Sequence, residues 1–297
     1  MMKSPLKGII AVIAGSLIFG IIPSGNNFVL LSGMHPACLL FYQALVMVFA
    51  SALMAKIQHV SLRIPVRDIL TVMGTGFLGI YATSLLLNVA YTYLAVSMVI
   101  LINFLYPTVV LLISILLFRE KSGRLHVAAI CCGFTGLLCV TDLSRADMNI
   151  PGFLFALLSG VTYAVYCVLN ERLRAASHPL AARLFYMSVL TCGIASVQMK
   201  LGNHFTAPVN MKVAAVAFLV VGMGCITAYG LILYGISVIG AGRTSVLNML
   251  EPVAAVGFGI LFFREPLTTR MLVGGVFILL SILLVSVDAG HVAREKE

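Results

Sequence analysis

The sequence predicts an all-α integral membrane protein of ten spanning helices, arranged as two inverted five-helix repeats. Three observations predict it: composition, the spacing of apolar runs, and a motif that occurs twice. Hydrophobic residues make up 61% of the 297, charged residues 10%, and mean hydropathy is +1.09. A soluble domain carries about 25% charge. So little polar surface cannot coat a soluble globule, which makes a bilayer the solvent.

Spanning a bilayer takes about 20 mostly apolar residues. Such runs fall near 8–30, 37–55, 69–90, 94–118, 125–141, 152–170, 180–199, 211–235, 240–263 and 268–287. Lys3 and Lys7 before the first run resemble a signal peptide, but the apolar stretch continues to Leu31 and no soluble domain follows, so it reads as a retained first helix. The shortest separation is 91–93, and the fifth run is the shortest span.

The net charge of +9 does not indicate nucleic acid. The basic residues sit in short clusters between apolar runs, the distribution that orients membrane proteins. Fifteen are assigned to one side, including Lys56, Arg63, Arg67, Arg119, Arg124, Arg172, Arg264 and Arg270. Arg145, Lys200, Lys212 and Arg243 are assigned to the other, which puts both termini in the cytoplasm. The seven cysteines lie in apolar segments with no CxxC or Cys/His spacing, so they read as small buried residues. No metal or cofactor is expected.

The motif is an internal repeat. A shift of 145 lays 94–120, LAVSMVILINFLYPTVVLLISILLFRE, on 239–265, IGAGRTSVLNMLEPVAAVGFGILFFRE. Asn103 falls on Asn248, Pro107 on Pro252, and Phe118-Arg119-Glu120 on Phe263-Arg264-Glu265. Shifts of 143 to 145 also pair Gly8 with Gly152, His35-Pro36 with His178-Pro179, and Gly79 with Gly224. The halves are 1–145 and 146–297. Each holds five spans, an odd number, so the second enters the membrane from the opposite face. Two such halves can exchange conformations and open one site first to one side and then to the other.

These residues resemble the drug/metabolite transporter superfamily, EamA type, over residues 7–288. Pro107 with Phe118-Arg119-Glu120 and Pro252 with Phe263-Arg264-Glu265-Pro266 carry the resemblance. It implies a ten-helix bundle, a central cavity lined mainly by spans 1, 3, 4, 6, 8 and 9, and transport of small metabolites, often export. Lys121 stands where Pro266 stands in the second half, in a loop.

Polar stripes at helical spacing indicate which faces meet protein or water. They are Ser16, Gly20, Pro23 and Asn27 in span 1, and Tyr81, Ser84, Asn88 and Tyr91 in span 3. Span 4 carries Asn103 and Tyr106; span 6 carries Ser159, Thr162, Tyr163, Tyr166 and Asn170; span 9 carries Thr244, Asn248 and Glu251. Any one could simply join helices at about 1 kcal/mol per hydrogen bond. As a set they suggest a cavity for an organic solute. Pro23, Pro107 and Pro252 each remove a backbone donor and are expected to kink their helices.

Glu251 is the one acid inside a span. A charge at mid-depth costs about 3 kcal/mol, and intramembrane acids are functional by default. Three roles compete: exchanging protons, binding an ammonium group, or bracing the kink as a neutral hydrogen-bonded acid. Arg243, read as two turns toward the outer mouth, either snorkels or binds a substrate carboxylate, with about 12 Å of helix between it and Glu251. A zwitterionic, amino-acid-like solute could bridge the two.

The sequence lacks the acid clusters or His/acid pairs of a membrane enzyme. A channel or receptor has less need of inverted halves. The expectation is a secondary-active carrier in a bacterial cytoplasmic (inner) membrane, with a small-molecule substrate and possible proton coupling.

Overall fold

The computed structural model describes residues 5–90, 93–94, 96–118, 123–140, 149–173, 178–203, 205–206, 208–263 and 269–294, and among these there is no strand. Ten membrane-crossing segments follow one another. The first two are α1 (Pro5–Leu31) and α2 (Pro36–Ile57). The third joins α3 (Val66–Gly76) to α4 (Thr83–Ala90) through a π-helical turn, Phe77–Ala82. The fourth is broken into α5 (Val96–Asn103) and α6 (Tyr106–Phe118), and α7 (Arg124–Val140) is the fifth.

The second half repeats the pattern. It comprises α8 (Ile150–Arg172), α9 (Leu180–Leu201), α10 (Met211–Ala215) and α11 (Gly224–Ile239) joined by a second π-helical segment (Val216–Met223), α12 (Ala241–Leu247), α13 (Leu250–Phe263) and α14 (Thr269–Arg294). Six of these crossings are unbroken, long and apolar. The fourth and ninth are each split in two, and α7 and α14 carry shorter apolar stretches.

Local chemistry sets the ends. Proline opens α1 and α2 and sits at the start of α8, where the missing N–H would be unsatisfied anyway. His35 Nδ1 accepts from Ala37 N, Asn149 Oδ1 from Gly152 N and Asn210 Oδ1 from Val213 N, so three helices begin on side-chain caps. Within the spans, Ser51, Ser188 and Thr191 donate to carbonyls one turn back, which explains why hydroxyls in the second and seventh crossings need no partner helix.

Close approach is made by glycines. A Cβ on Gly76 would lie 2.7 Å from Met187, and one on Gly136 would lie 2.6 Å from the Gly274 carbonyl. α1 lies along α11, α2 along α9, and α7 along α14. Small residues at such contacts let backbones gain dispersion contact where lipid offers no hydrophobic driving force.

The turns sort onto two faces, and this corrects the reading of Arg243. Gly8 packs on Val238 and Ile239, His178 Nε2 lies 2.7 Å from Asp68 Oδ2, and Arg172 stacks 4.8 Å over Phe118. Ala241 N donates to Glu171 Oε2 at 2.9 Å. All of these lie at the face where α1 begins, so Arg243, two residues into α12, belongs with them and not with Lys200. Conversely, Ser281 Oγ donates to Ala129 O, and α14 runs antiparallel to α7, so Arg270 starts beside the far end of α7. The error was one of alternation: nine preceding passages put the turn after α13 on the face opposite the termini. Arg264 follows by the same alternation and itself lies outside the described residues, as do Arg119, Glu120 and Glu265. The division of the 19 basic residues becomes fourteen against five, a smaller asymmetry of the same sign.

Candidate functional site

The two helix breaks occupy equivalent places. Under the 145-residue shift, Asn103-Phe104-Leu105-Tyr106-Pro107 lies on Asn248-Met249-Leu250-Glu251-Pro252. Each proline removes a donor and crowds the carbonyl one turn back. α5 therefore stops at Asn103 and α6 resumes at Tyr106, while α12 stops at Leu247 and α13 resumes at Leu250. Both prolines are buried. Here the expected kinks are full interruptions. Pro23 interrupts nothing: α1 is assigned as one helix through it.

Between the breaks lies a cavity of about 460 Å³. Glu251, Asn248, Asn103, Tyr106, Asn88, Tyr163 and Pro23, all singled out from sequence, line it, together with Ser84. It runs from mid-depth, at Tyr106, Asn248 and Glu251, to Met34 and Pro36 at the α1–α2 turn. That turn lies on the second face, where His35 N donates to Thr206 Oγ1. Toward the first face the layer beneath is solid: Val12, Tyr166, Val246 and Leu247 have no exposed surface. The pocket is thus continuous with one face only.

The floor is a short polar chain. Asn248 Nδ2 donates to Glu251 Oε2 at 3.3 Å, and Ser16 Oγ lies 2.8 Å from both Asn248 Oδ1 and Val12 O, offering its one proton to either. Tyr106 Oη donates to Ser245 O at 3.1 Å, pinning α6 to α12. On the opposite wall Asn103 Nδ2 donates to Ser159 Oγ at 2.9 Å.

Aromatic rings surround the floor. Tyr106 meets Tyr163 edge-on at 4.9 Å, Phe19 meets Tyr229 edge-on at 5.1 Å, and Tyr163 stacks on Tyr166 at 5.6 Å. Tyr229 Oη donates to the carbonyl of Gly79 at 3.1 Å, inside the first π-helical turn. Such a turn displaces one carbonyl from the normal i to i+4 ladder, and a side chain can claim it. Gly79 also has to be glycine, because a Cβ there would fall inside the Tyr166 ring.

Of the residues selected from sequence, Ser16, Gly20, Ser159, Thr162, Asn170 and Thr244 do not line the cavity, and neither do Tyr166, Tyr81 and Arg243. Tyr166 is fully buried behind Tyr163, and its hydroxyl has no partner among the described residues. Tyr81 hydrogen-bonds Gln198 Oε1 at 3.2 Å and is held against α9. Arg243 is absent from the lining and sits at the first face, the side the floor closes off. The side chains of Asn27 and Tyr91 lie outside the described residues.

Other lining residues were missed from sequence: Phe19, Asn26, Gln43, Thr83, Cys225 and Tyr229. A signal existed for Tyr229, because the 145 shift lays it on Ser84, a member of the span 3 stripe. Gln43 sits in a span whose serine was self-satisfied, and one polar residue made no stripe. Among the described residues no three His, Cys, Asp or Glu side chains gather as a metal site.

A membrane bundle of two inverted halves around a polar cavity has the form of a solute transporter. The chain belongs to the EamA-like transporter family, whose sequence pattern matches residues 6–142 and again 150–287. It is 25% identical over 238 residues to an uncharacterized transporter of Archaeoglobus fulgidus, covering 80% of this chain and 84% of the relative. Protein PecM of Dickeya dadantii is 26% identical over 77% of this chain and 76% of its own length. The uncharacterized inner membrane transporter YicL of Salmonella typhimurium is 26% identical over 65% of each chain. A protein crystal structure at 17% identity superposes with a TM-score of 0.81 over 94% of this chain and 98% of its own, which speaks for the fold alone.

Proposed function

We propose that this membrane transporter is a secondary-active carrier that exports a small, amino-bearing organic solute by alternating access, exchanging it for protons at Glu251. It would work in a bacterial inner membrane with both termini in the cytoplasm. The observation that carries the reading is the position of Glu251: an acid on the floor of a half-open cavity, beside a helix break, hydrogen-bonded by Asn248.

The physical logic is one of competition. A carboxylate in low dielectric is stabilised either by a proton or by a bound cation. Solute and proton then exclude each other from one group, and alternating exposure of that group couples their flows. The basic majority marks the first face as cytoplasmic, so the cavity described above is the outward-open state. The bridge from Glu251 to Arg243 is withdrawn, since Arg243 lies beyond the closed floor.

The test is flux in proteoliposomes. With solute trapped inside, an acidic exterior should accelerate efflux in the native chain. Glu251→Gln should lose that acceleration while retaining solute-for-solute exchange. A variant whose pH-driven efflux matched the native rate would remove proton coupling at this residue, and loss of counterflow in the native chain would remove the carrier reading.

A further inference from the structure

We propose that the cavity selects an organic monocation, an amine attached to an aromatic or apolar body and carrying no carboxylate. This rests on the transport reading above and narrows it. The lining holds one formal charge, that of Glu251, and no Lys, Arg or His among the described residues. Its remaining polar groups are neutral: the amides of Asn26, Gln43, Asn88, Asn103 and Asn248, and several hydroxyls.

The amides nearest the floor are engaged. Asn103 donates to Ser159, and Asn248 donates to Glu251 itself. A substrate carboxylate seated there would meet a like charge with no guanidinium or ammonium to offset it, and would leave water to do so. An ammonium group meets the reverse: one carboxylate, and the rings of Phe19, Tyr106, Tyr163 and Tyr229 around it. Aromatic faces attract cations through their quadrupole, most strongly in desolvated sites. The volume of about 460 Å³ lies within the range of small-molecule pockets and leaves room for an aryl or alkyl body against Ile22, Leu39, Leu40 and Phe104. An amino acid and its decarboxylated amine share every feature except the group this pocket cannot pair.

The experiment uses that pair. The full chain, purified in nanodiscs, is titrated with 2-phenylethylamine, phenylalanine and 3-phenylpropionate. The chain has ten tyrosines and no tryptophan, so tyrosine emission reports binding at the ringed floor. The amine should bind more tightly than phenylalanine by about tenfold or more, a fraction of the cost of a fully buried unpaired charge because the cavity is half open. Phenylpropionate should not bind. Glu251→Gln should erase the difference between amine and amino acid. Asn88→Lys, which puts a cation on the cavity wall, should raise phenylalanine binding relative to the amine.

Phenylalanine binding as tightly as the amine in the native chain overturns the assignment, whatever the variants do. So does failure of all three probes while vesicles still exchange some other solute from a metabolite extract, and in that case the carrier reading stands. Vesicles that exchange nothing remove the carrier reading and this assignment with it.

Discussion

At the scale of single residues, two buried tyrosines separate packing from hydrogen bonding. Tyr166 Oη is buried without a partner among the described residues, whereas Tyr229 Oη donates to Gly79 O. Tyr166→Phe removes a desolvated hydroxyl that gains nothing and is expected to leave the melting temperature unchanged or raised. Tyr229→Phe orphans a buried carbonyl and should cost about 1–3 kcal/mol. Thermal unfolding of the two variants in the same detergent checks the contrast. Glu251 itself was readable from sequence, because an acid inside a span has few bland explanations. Ser16, which bonds Glu251's partner Asn248, was visible only as one of a stripe. Arg243 was misplaced because its side of the membrane depends on counting every preceding passage, and the residue gives no local sign of which face it meets.

At the scale of elements, the ten crossings were legible because lipid imposes length and apolarity on each one. The breaks at 104–105 and 248–249 were legible as kinks, since proline has a fixed chemical consequence. That they are interruptions depends on packing: Asn103 O lies so near Gly160 that a Cβ there would sit at 2.7 Å. The π-helical turns had no sequence signal, since Phe77–Ala82 and Val216–Met223 read as ordinary apolar helix. The first has a tertiary setting, the fit of the Tyr166 ring over Gly79 and the claim of Tyr229 on its carbonyl. Gly79→Ala should therefore disturb more than helix propensity. Overpacking of this kind costs about 1–3 kcal/mol, and Ala at Gly74, which has open space around it, should be benign. Paired denaturation curves distinguish them.

At the scale of the whole molecule, the alternation of faces is directly testable. In a cysteine-free background, Asn203→Cys, in the turn after α9, should react with an impermeant thiol reagent in intact cells. Ser237→Cys and Gln58→Cys, at the face that carries α1's start, should react only after permeabilisation. Labelling of Asn203→Cys and Ser237→Cys from the same side would contradict the fold described here. The repeat made this architecture legible, since five spans per half forces inversion. The repeat could not reveal which side the cavity faces, because a sequence written twice describes both states equally well.

One pairing in that repeat has a further consequence. The positions held by Tyr106 and Glu251 are counterparts, a phenol in one half and an acid in the other. The backbone has a twofold partner for the site, but the electrostatics do not. Under the alternating access proposed above, a reversed gate would present the charge of Glu251 to the approaching solute from a different wall and at a different distance from the new entrance. Such a device rectifies: initial rates measured under equal and opposite gradients should differ between the two directions, and Glu251→Gln should bring them closer together.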